Sequence, residues 1–215
     1  MAGCFITFEG GEGCGKSTQL ALLEKYLKNN GRDVLTTKEP GGTELGLELR
    51  KMLVTGDKDK MDAVAEALLY YADRRIHMTQ KVWPALAENK WVLSDRFADS
   101  TVAYQYYGYQ KKVDKSLLDN LYQIAVGDFK PDLTIIFDLD VEVGLARSYA
   151  KASLMKEKET RHESRGIEFH KLLRQGFLEI AKQEPERCVV LKADKSIEEL
   201  HQDVIRTINE RFKLN

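Results

Sequence analysis

Short apolar runs alternate with longer amphipathic stretches along the whole chain. Cys4-Phe5-Ile6-Thr7-Phe8, Asp33-Val34-Leu35-Thr36-Thr37-Lys38, Trp91-Val92-Leu93-Ser94-Asp95, Leu133-Thr134-Ile135-Ile136-Phe137-Asp138 and Cys188-Val189-Val190-Leu191 read as strands. Between them, apolar residues recur at three- and four-residue intervals. Leu20, Leu23 and Leu27 place a helix over about 16–30, with Gly31 as its stop. Further helices are expected over about 44–54, 62–89 (kinked or broken at Pro84), 100–106, 116–126, 141–151 and 167–183. Ser196 and Glu199 form a capping box for a last helix, with Ile197, Leu200, Val204, Ile208 and Phe212 as its core face. Residues 152–165 lack apolar periodicity and carry Lys156, Lys158, Arg161 and Arg165, so a solvated, mobile segment or lid is expected there.

Strands that alternate with helices predict an α/β fold: three layers, with a five-stranded parallel sheet and helices on both faces. The length of 215 residues suits a single domain, 1–215. In this architecture ligands bind at the carboxyl ends of the strands. The segments after the expected strands include Gly10–Thr18, Glu39–Thr43 and Asp95-Arg96, so residues far apart in sequence should meet on one rim.

The first of these segments is chemically specific. Gly10-Gly11-Glu12-Gly13-Cys14-Gly15-Lys16-Ser17-Thr18 matches the phosphate-loop pattern between a strand and a helix. Glycines let successive backbone N–H groups turn inward onto phosphate oxygens, and the following helix adds the positive end of its dipole. Lys16 is placed to reach the β/γ phosphates, and Ser17 to offer a hydroxyl to Mg²⁺. Cys14 reads as a small residue tolerated in the loop.

The other segments are less specific alone. Asp95-Arg96 can hold Mg²⁺ and a phosphate at a strand end, or form a surface ion pair. Glu39-Pro40-Gly41-Gly42-Thr43 is a turn, and Pro40 leaves a cis bond open. Tyr70 and Arg74, four apart, share one helix face. That spacing describes a pair able to stack on and bond a base, and equally a half-buried tyrosine beside a solvated arginine. The basic segment is either a wet loop or the source of an arginine for transition-state charge, worth about 10³–10⁵ in rate.

Charge and composition narrow the classes. The chain has 33 basic and 34 acidic residues, a net charge of −1, which gives no electrostatic reason to expect nucleic-acid binding. No apolar run approaches the roughly 20 residues needed to span a bilayer, and no secretory leader is expected. Cys4, Cys14 and Cys188 show no metal or disulfide spacing, and the four histidines are scattered. A reducing, cytoplasmic setting is expected. A GTP-dependent switch remains a different-class alternative, although Asn89-Lys90 is followed by Trp91-Val92 rather than a guanine-reading sequence. A kinase for another nucleoside monophosphate or for a deoxynucleoside is the alternative within the same class.

Taken together, the motifs resemble bacterial-type thymidylate kinases. The resemblance rests on Phe8-Glu9-Gly10-Gly11-Glu12-Gly13, Glu39–Thr43, Tyr70 with Arg74, Asp95-Arg96-Phe97 followed by Ser100-Thr101-Val102-Ala103-Tyr104-Gln105, Pro131–Thr134 and Arg161-His162-Glu163, in the family's order. It implies the P-loop nucleoside monophosphate kinase architecture, a homodimer, and transfer of phosphate from ATP to dTMP with Mg²⁺. By position it implies an ATP site at Gly10–Thr18 with Arg147 over adenine, and Mg²⁺ near Ser17 and Asp95. For dTMP it implies Glu12 at the sugar hydroxyl, Arg50 and Arg96 at the phosphate, and Tyr70 stacked on thymine. Arg74 would face O4, Thr101 and Gln105 would contact the base, and Tyr104 would crowd the ribose 2′ position. Glu39, Pro40 and Ser100 complete that site, and Lys16, Arg96 and the lid residue Arg161 are the implied catalytic set. Tyr70 stands where phenylalanine is usual, so its hydroxyl needs a partner.

Overall fold

The computed structural model describes residues 3–153 and 161–214. Strands β1 (Phe5–Gly10), β2 (Val34–Lys38), β3 (Trp91–Asp95), β4 (Leu133–Asp138) and β5 (Cys188–Lys192) form a parallel sheet in the order β2-β3-β1-β4-β5. From β1 the chain crosses to the edge strand β2, returns to β3 beside β1, and then moves to β4 on the other side. The register sets Phe8 and Lys38 both opposite Asp95, so the segments that follow three strands leave the same edge together.

Alternation along the strands feeds two cores. On one face Ile6, Phe8, Leu93, Ile135 and Phe137 pack against Leu20, Leu23 and Leu27 of α1 (Lys16–Asn29) and Leu200, Val204 and Ile208 of α9 (Ile197–Phe212). Full burial of each such leucine or isoleucine contributes roughly 1.5–3 kcal/mol. On the opposite face Phe5 and Val92 meet Ala67 and Tyr71 of α3 (Ala63–His77) and Leu118 and Ala125 of α6 (Lys115–Val126). Ile136 meets Leu173, Phe177 and Ile180 of α8 (Ile167–Gln183). The remaining α-helices are α2 (Glu44–Val54), α4 (Trp83–Ala87), α5 (Ala98–Thr101) and α7 (Val141–Ala152).

Three expectations are corrected. The helix over 62–89 is interrupted by a π-helical segment, Met78–Val82, in which Trp83 N–H donates to the Met78 carbonyl five residues back. Pro84 follows and has no N–H with which to continue the ordinary ladder. The helix over 100–106 is instead α5 followed by a second π-helical segment, Val102–Gly108. Ile197, the first residue of α9, is exposed rather than part of the core face, which begins at Leu200. The capping box of Ser196 and Glu199 is present.

The second π-helical segment lies tightly against α8. A Cβ added at Gly176 would fall 2.7 Å from the Tyr107 side chain, and one at Gly108 would fall 2.6 Å from Phe169. Glycine at both positions lets this segment, which carries Tyr104 and Gln105, seat closely.

Candidate active site

A cavity of about 520 Å³ opens where β1, β2 and β3 end. Gly13 and Gly15 adopt φ of 65° and 96°, values that favour glycine, so the loop after β1 curls over the start of α1. The loop also lies directly on α7, because a Cβ at Gly144 would sit 2.4 Å from the Glu12 carbonyl. Lys16 folds back along the loop, and its Nζ donates to the carbonyls of Gly10 (3.1 Å) and Gly11 (2.7 Å). The buried Cys14 thiol donates to the Gly11 carbonyl. The Ser17 hydroxyl donates to Asp95 Oδ2 at 2.7 Å, joining the start of α1 to the end of β3. These two oxygen donors fit Mg²⁺, which takes one or two protein ligands and fills its shell with water and phosphate oxygens.

Arg96, at φ 74°, turns back over the loop. Its guanidinium donates to the Gly10 carbonyl (3.0 Å), Ser100 Oγ (2.9 Å) and Glu12 Oε1 (3.0 Å). Tyr104 donates its hydroxyl to the same Glu12 oxygen. Burial alone would raise the Glu12 carboxyl, but the charges of Arg96 and Lys16 outweigh it and hold the group down at about 2. Beneath them Glu9 is fully buried, on the face of β1 that also carries Phe5 and Thr7. It accepts from the Phe97 N–H (2.7 Å) and the Ser100 hydroxyl (2.5 Å). Burial, with the nearby Asp99 carboxylate, pushes Glu9 up to about 8.

Arg74 is 1% exposed, which overturns the picture of a solvated arginine. Its Nε donates to Glu39 Oε2 at 2.8 Å and its Nη2 to Thr101 Oγ1 at 3.1 Å, and its guanidinium lies over the Tyr71 and Phe97 rings. Its Nη1 is buried without a hydrogen-bond partner among the described residues, and so is Gln105 Oε1. Glu39 is itself held by His77, and the Glu39–Pro40 peptide is cis. The Pro40 carbonyl accepts from Arg50 at 3.0 Å. The Tyr70 hydroxyl meets His162 Nε2 at 2.9 Å, and His162 packs edge-on to the Tyr104 ring. Burial depresses His162 to about 4, so the ring is neutral at pH 7.

The cavity lining contains Glu12 to Thr18, Glu39, Pro40, Arg50, Tyr70, Arg74, Asp95, Arg96, Ser100, Thr101, Tyr104, Gln105 and Arg147. Gly10 and Gly11 do not line it, and they offer their carbonyls to Lys16. Arg161 does not line it. Its guanidinium is buried against the carbonyls of Leu53, Asp57 and Lys58 and against Glu66 Oε1 at 2.5 Å. Of the expected solvated segment, residues 154–160 lie outside the described residues, whereas Arg161, His162 and Glu163 are buried. The acceptors that meet Arg161 lie about 95–108 residues away in sequence, so charge density alone could not show that this arginine is buried. Sequence reasoning also missed His162 as a cavity residue and Glu9 and Glu66 as supports. Glu66 had a usable signal, since Glu66, Tyr70 and Arg74 recur every four residues along one stripe of α3.

A family model described as "Thymidylate kinase" matches residues 8–204. The chain belongs to the thymidylate kinase family. It is 45% identical to a thymidylate kinase of Magnetococcus marinus over 99% of this chain and 98% of that one. It is 42% identical to one of Trichormus variabilis over 99% of both. The crystal structure of thymidylate kinase from Ehrlichia chaffeensis superposes with a TM-score of 0.75 at 35% identity, covering 97% of this chain and 99% of that one. The chemistry of the family, phosphorylation of dTMP to dTDP, is therefore the activity of this chain.

Proposed function

We propose that the cavity binds ATP along the loop of Gly10–Thr18 and dTMP between Tyr70, Arg74 and Arg96. The γ-phosphoryl group would then pass to a dTMP phosphate oxygen, with cleavage of its bond to the β–γ bridging oxygen and release of ADP. The acceptor is already an oxyanion near neutral pH, so no strong general base is required. The obstacle is repulsion between two polyanions, met by charge and by fixed geometry. Loop N–H groups and Lys16 hold the donor phosphates, and Arg50 and Arg96 hold the acceptor phosphate. Glu12 would take the sugar hydroxyl, and the Tyr104 ring would crowd a ribose 2′ group. Arg147 would lie over adenine. Ser17 and Asp95 would hold Mg²⁺, which when bound neutralises charge on the transferring phosphates.

The observation that carries the choice of base is the pair of buried, unpartnered atoms, the donor Arg74 Nη1 and the acceptor Gln105 Oε1, on two residues that line the cavity. Thymine presents an acceptor at O4 and a donor at N3–H. Cytosine presents a donor at N4 and an acceptor at N3, the inverse pattern. Mismatch would leave buried groups unpaired on both sides, and sites built this way reject the wrong partner strongly. The thymine methyl is worth only about 1–3 kcal/mol, so dUMP should be a weak substrate. A panel of monophosphates and deoxynucleosides with ATP and Mg²⁺ tests the reading. Turnover should be highest with dTMP, weaker with dUMP and near background with dCMP. Equal use of dTMP and dCMP would refute it.

We further propose a homodimer in the cytoplasm. Support comes from the exposed side chains of Leu45, Met52, Val64, Leu68 and Ile124 on α2, α3 and α6, where α3 packs on both of the others. The three cysteines are free thiols, which suits a reducing compartment. Sedimentation should give a species of twice the chain mass, and a monomer at micromolar concentration would count against the dimer.

A further inference from the structure

Glu66 lies on α3, one turn before Tyr70, and does not line the cavity. It is fully buried and collects four donors. Its Oε1 accepts from Arg161 Nη2 (2.5 Å), Arg165 Nη2 (2.6 Å) and the Tyr109 hydroxyl (2.8 Å). Its Oε2 accepts from Gln105 Nε2 (2.9 Å). Oε1 is thus crowded by three donors, and among the described residues Gln105 is the one donor that reaches Oε2.

We propose that Glu66 is a positioning residue for base selection, acting through the side-chain amide of Gln105. This role rests on the reading that Gln105 meets the base, and donor and acceptor chemistry supports it. A carboxylate paired with two guanidinium groups only accepts. The amide of Gln105 must therefore turn its NH₂ toward Glu66, and its Oε1 is left over. That oxygen is the buried, unpartnered acceptor described above. A reversed amide would set oxygen against oxygen in a buried place and leave an NH₂ for the ligand, the complement of cytosine N3 rather than of thymine N3–H. Glu66 thus fixes which half of an otherwise ambiguous side chain faces the nucleotide. The same carboxylate anchors Arg161 and Arg165, so these two arginines and Gln105 share one support.

Glu66→Gln tests this, because its own amide can face Gln105 either way. The ratio of kcat/KM for dTMP to that for dCMP should fall about tenfold or more, mostly through KM for dTMP, with KM for ATP unchanged. Tyr109→Phe removes a different donor from the same carboxylate and should leave the ratio within about twofold of wild type. A damaged scaffold would lower both substrates alike. An unchanged ratio in Glu66→Gln, or an equal fall in Tyr109→Phe, overturns the proposal. Should Glu66→Gln fail to fold, exchange of the Gln105 side-chain amide protons in the wild-type protein decides. Slow exchange in the free enzyme, retained when dTMP binds, supports the proposal, and free exchange before binding overturns it. A wild-type enzyme that does not phosphorylate dTMP would overturn the functional reading and this inference together. A wild-type enzyme selective for dTMP beside an unselective effect of Glu66→Gln overturns this inference alone.

Discussion

Arg74 and Arg161 are the two largest fully buried side chains described, and they are neutralised in different ways. Every nitrogen of Arg161 is engaged, by three backbone carbonyls and Glu66. Arg74 is paired with Glu39 and Thr101 but keeps Nη1 in reserve. A buried cation with every nitrogen bonded is part of the packing, whereas one with an unbonded nitrogen has a donor left over. Arg161→Ala should therefore lower stability by about 3–5 kcal/mol, since it leaves Glu66 short of a cation and three carbonyls bare. Urea denaturation measures this. Unchanged stability together with a fall in kcat of about 10³ would return Arg161 to the chemistry. The sequence marked both arginines as candidates but could not separate them. What distinguishes them is where Leu53, Asp57 and Glu39 arrive in space, and no local pattern records that.

At the level of elements, reading was good where periodicity is set by a core. The strands Trp91–Asp95 and Leu133–Asp138 and the helices Glu44–Val54 and Ile167–Gln183 fall where apolar spacing puts them. It failed at the π-helical segments, because a change from four- to five-residue bonding alters the pattern too little over one or two turns. It failed again at Ile197, which continues the apolar spacing of α9 yet is exposed. The packing of α7 on the phosphate loop was also invisible, since Gly144 gives no motif. Gly144→Ala would drive a methyl to 2.4 Å from the Glu12 carbonyl and displace the loop. Small displacements of binding groups cost up to about 10²-fold. KM for ATP should rise at least about tenfold. Wild-type kinetics in Gly144→Ala would mean the loop yields freely and is not held by α7.

For the whole molecule, topology does the gathering. Placing β1 between β3 and β4 brings the loop after β1 beside Asp95 and Arg96, although about 80 residues separate them in the chain. That rim was legible from alternation of strands and helices alone. How the side chains that line the cavity are held was not, because their placement depends on supports such as Glu9 under Ser100 and Glu39 under Arg74. In the proposed site, base choice resides in one spare donor and one spare acceptor. A crystal structure of the dTMP complex tests it most directly. Thymine O4 should lie within hydrogen-bonding distance of Arg74 Nη1 and N3 within that of Gln105 Oε1. A thymine ring bound away from both atoms would contradict the account.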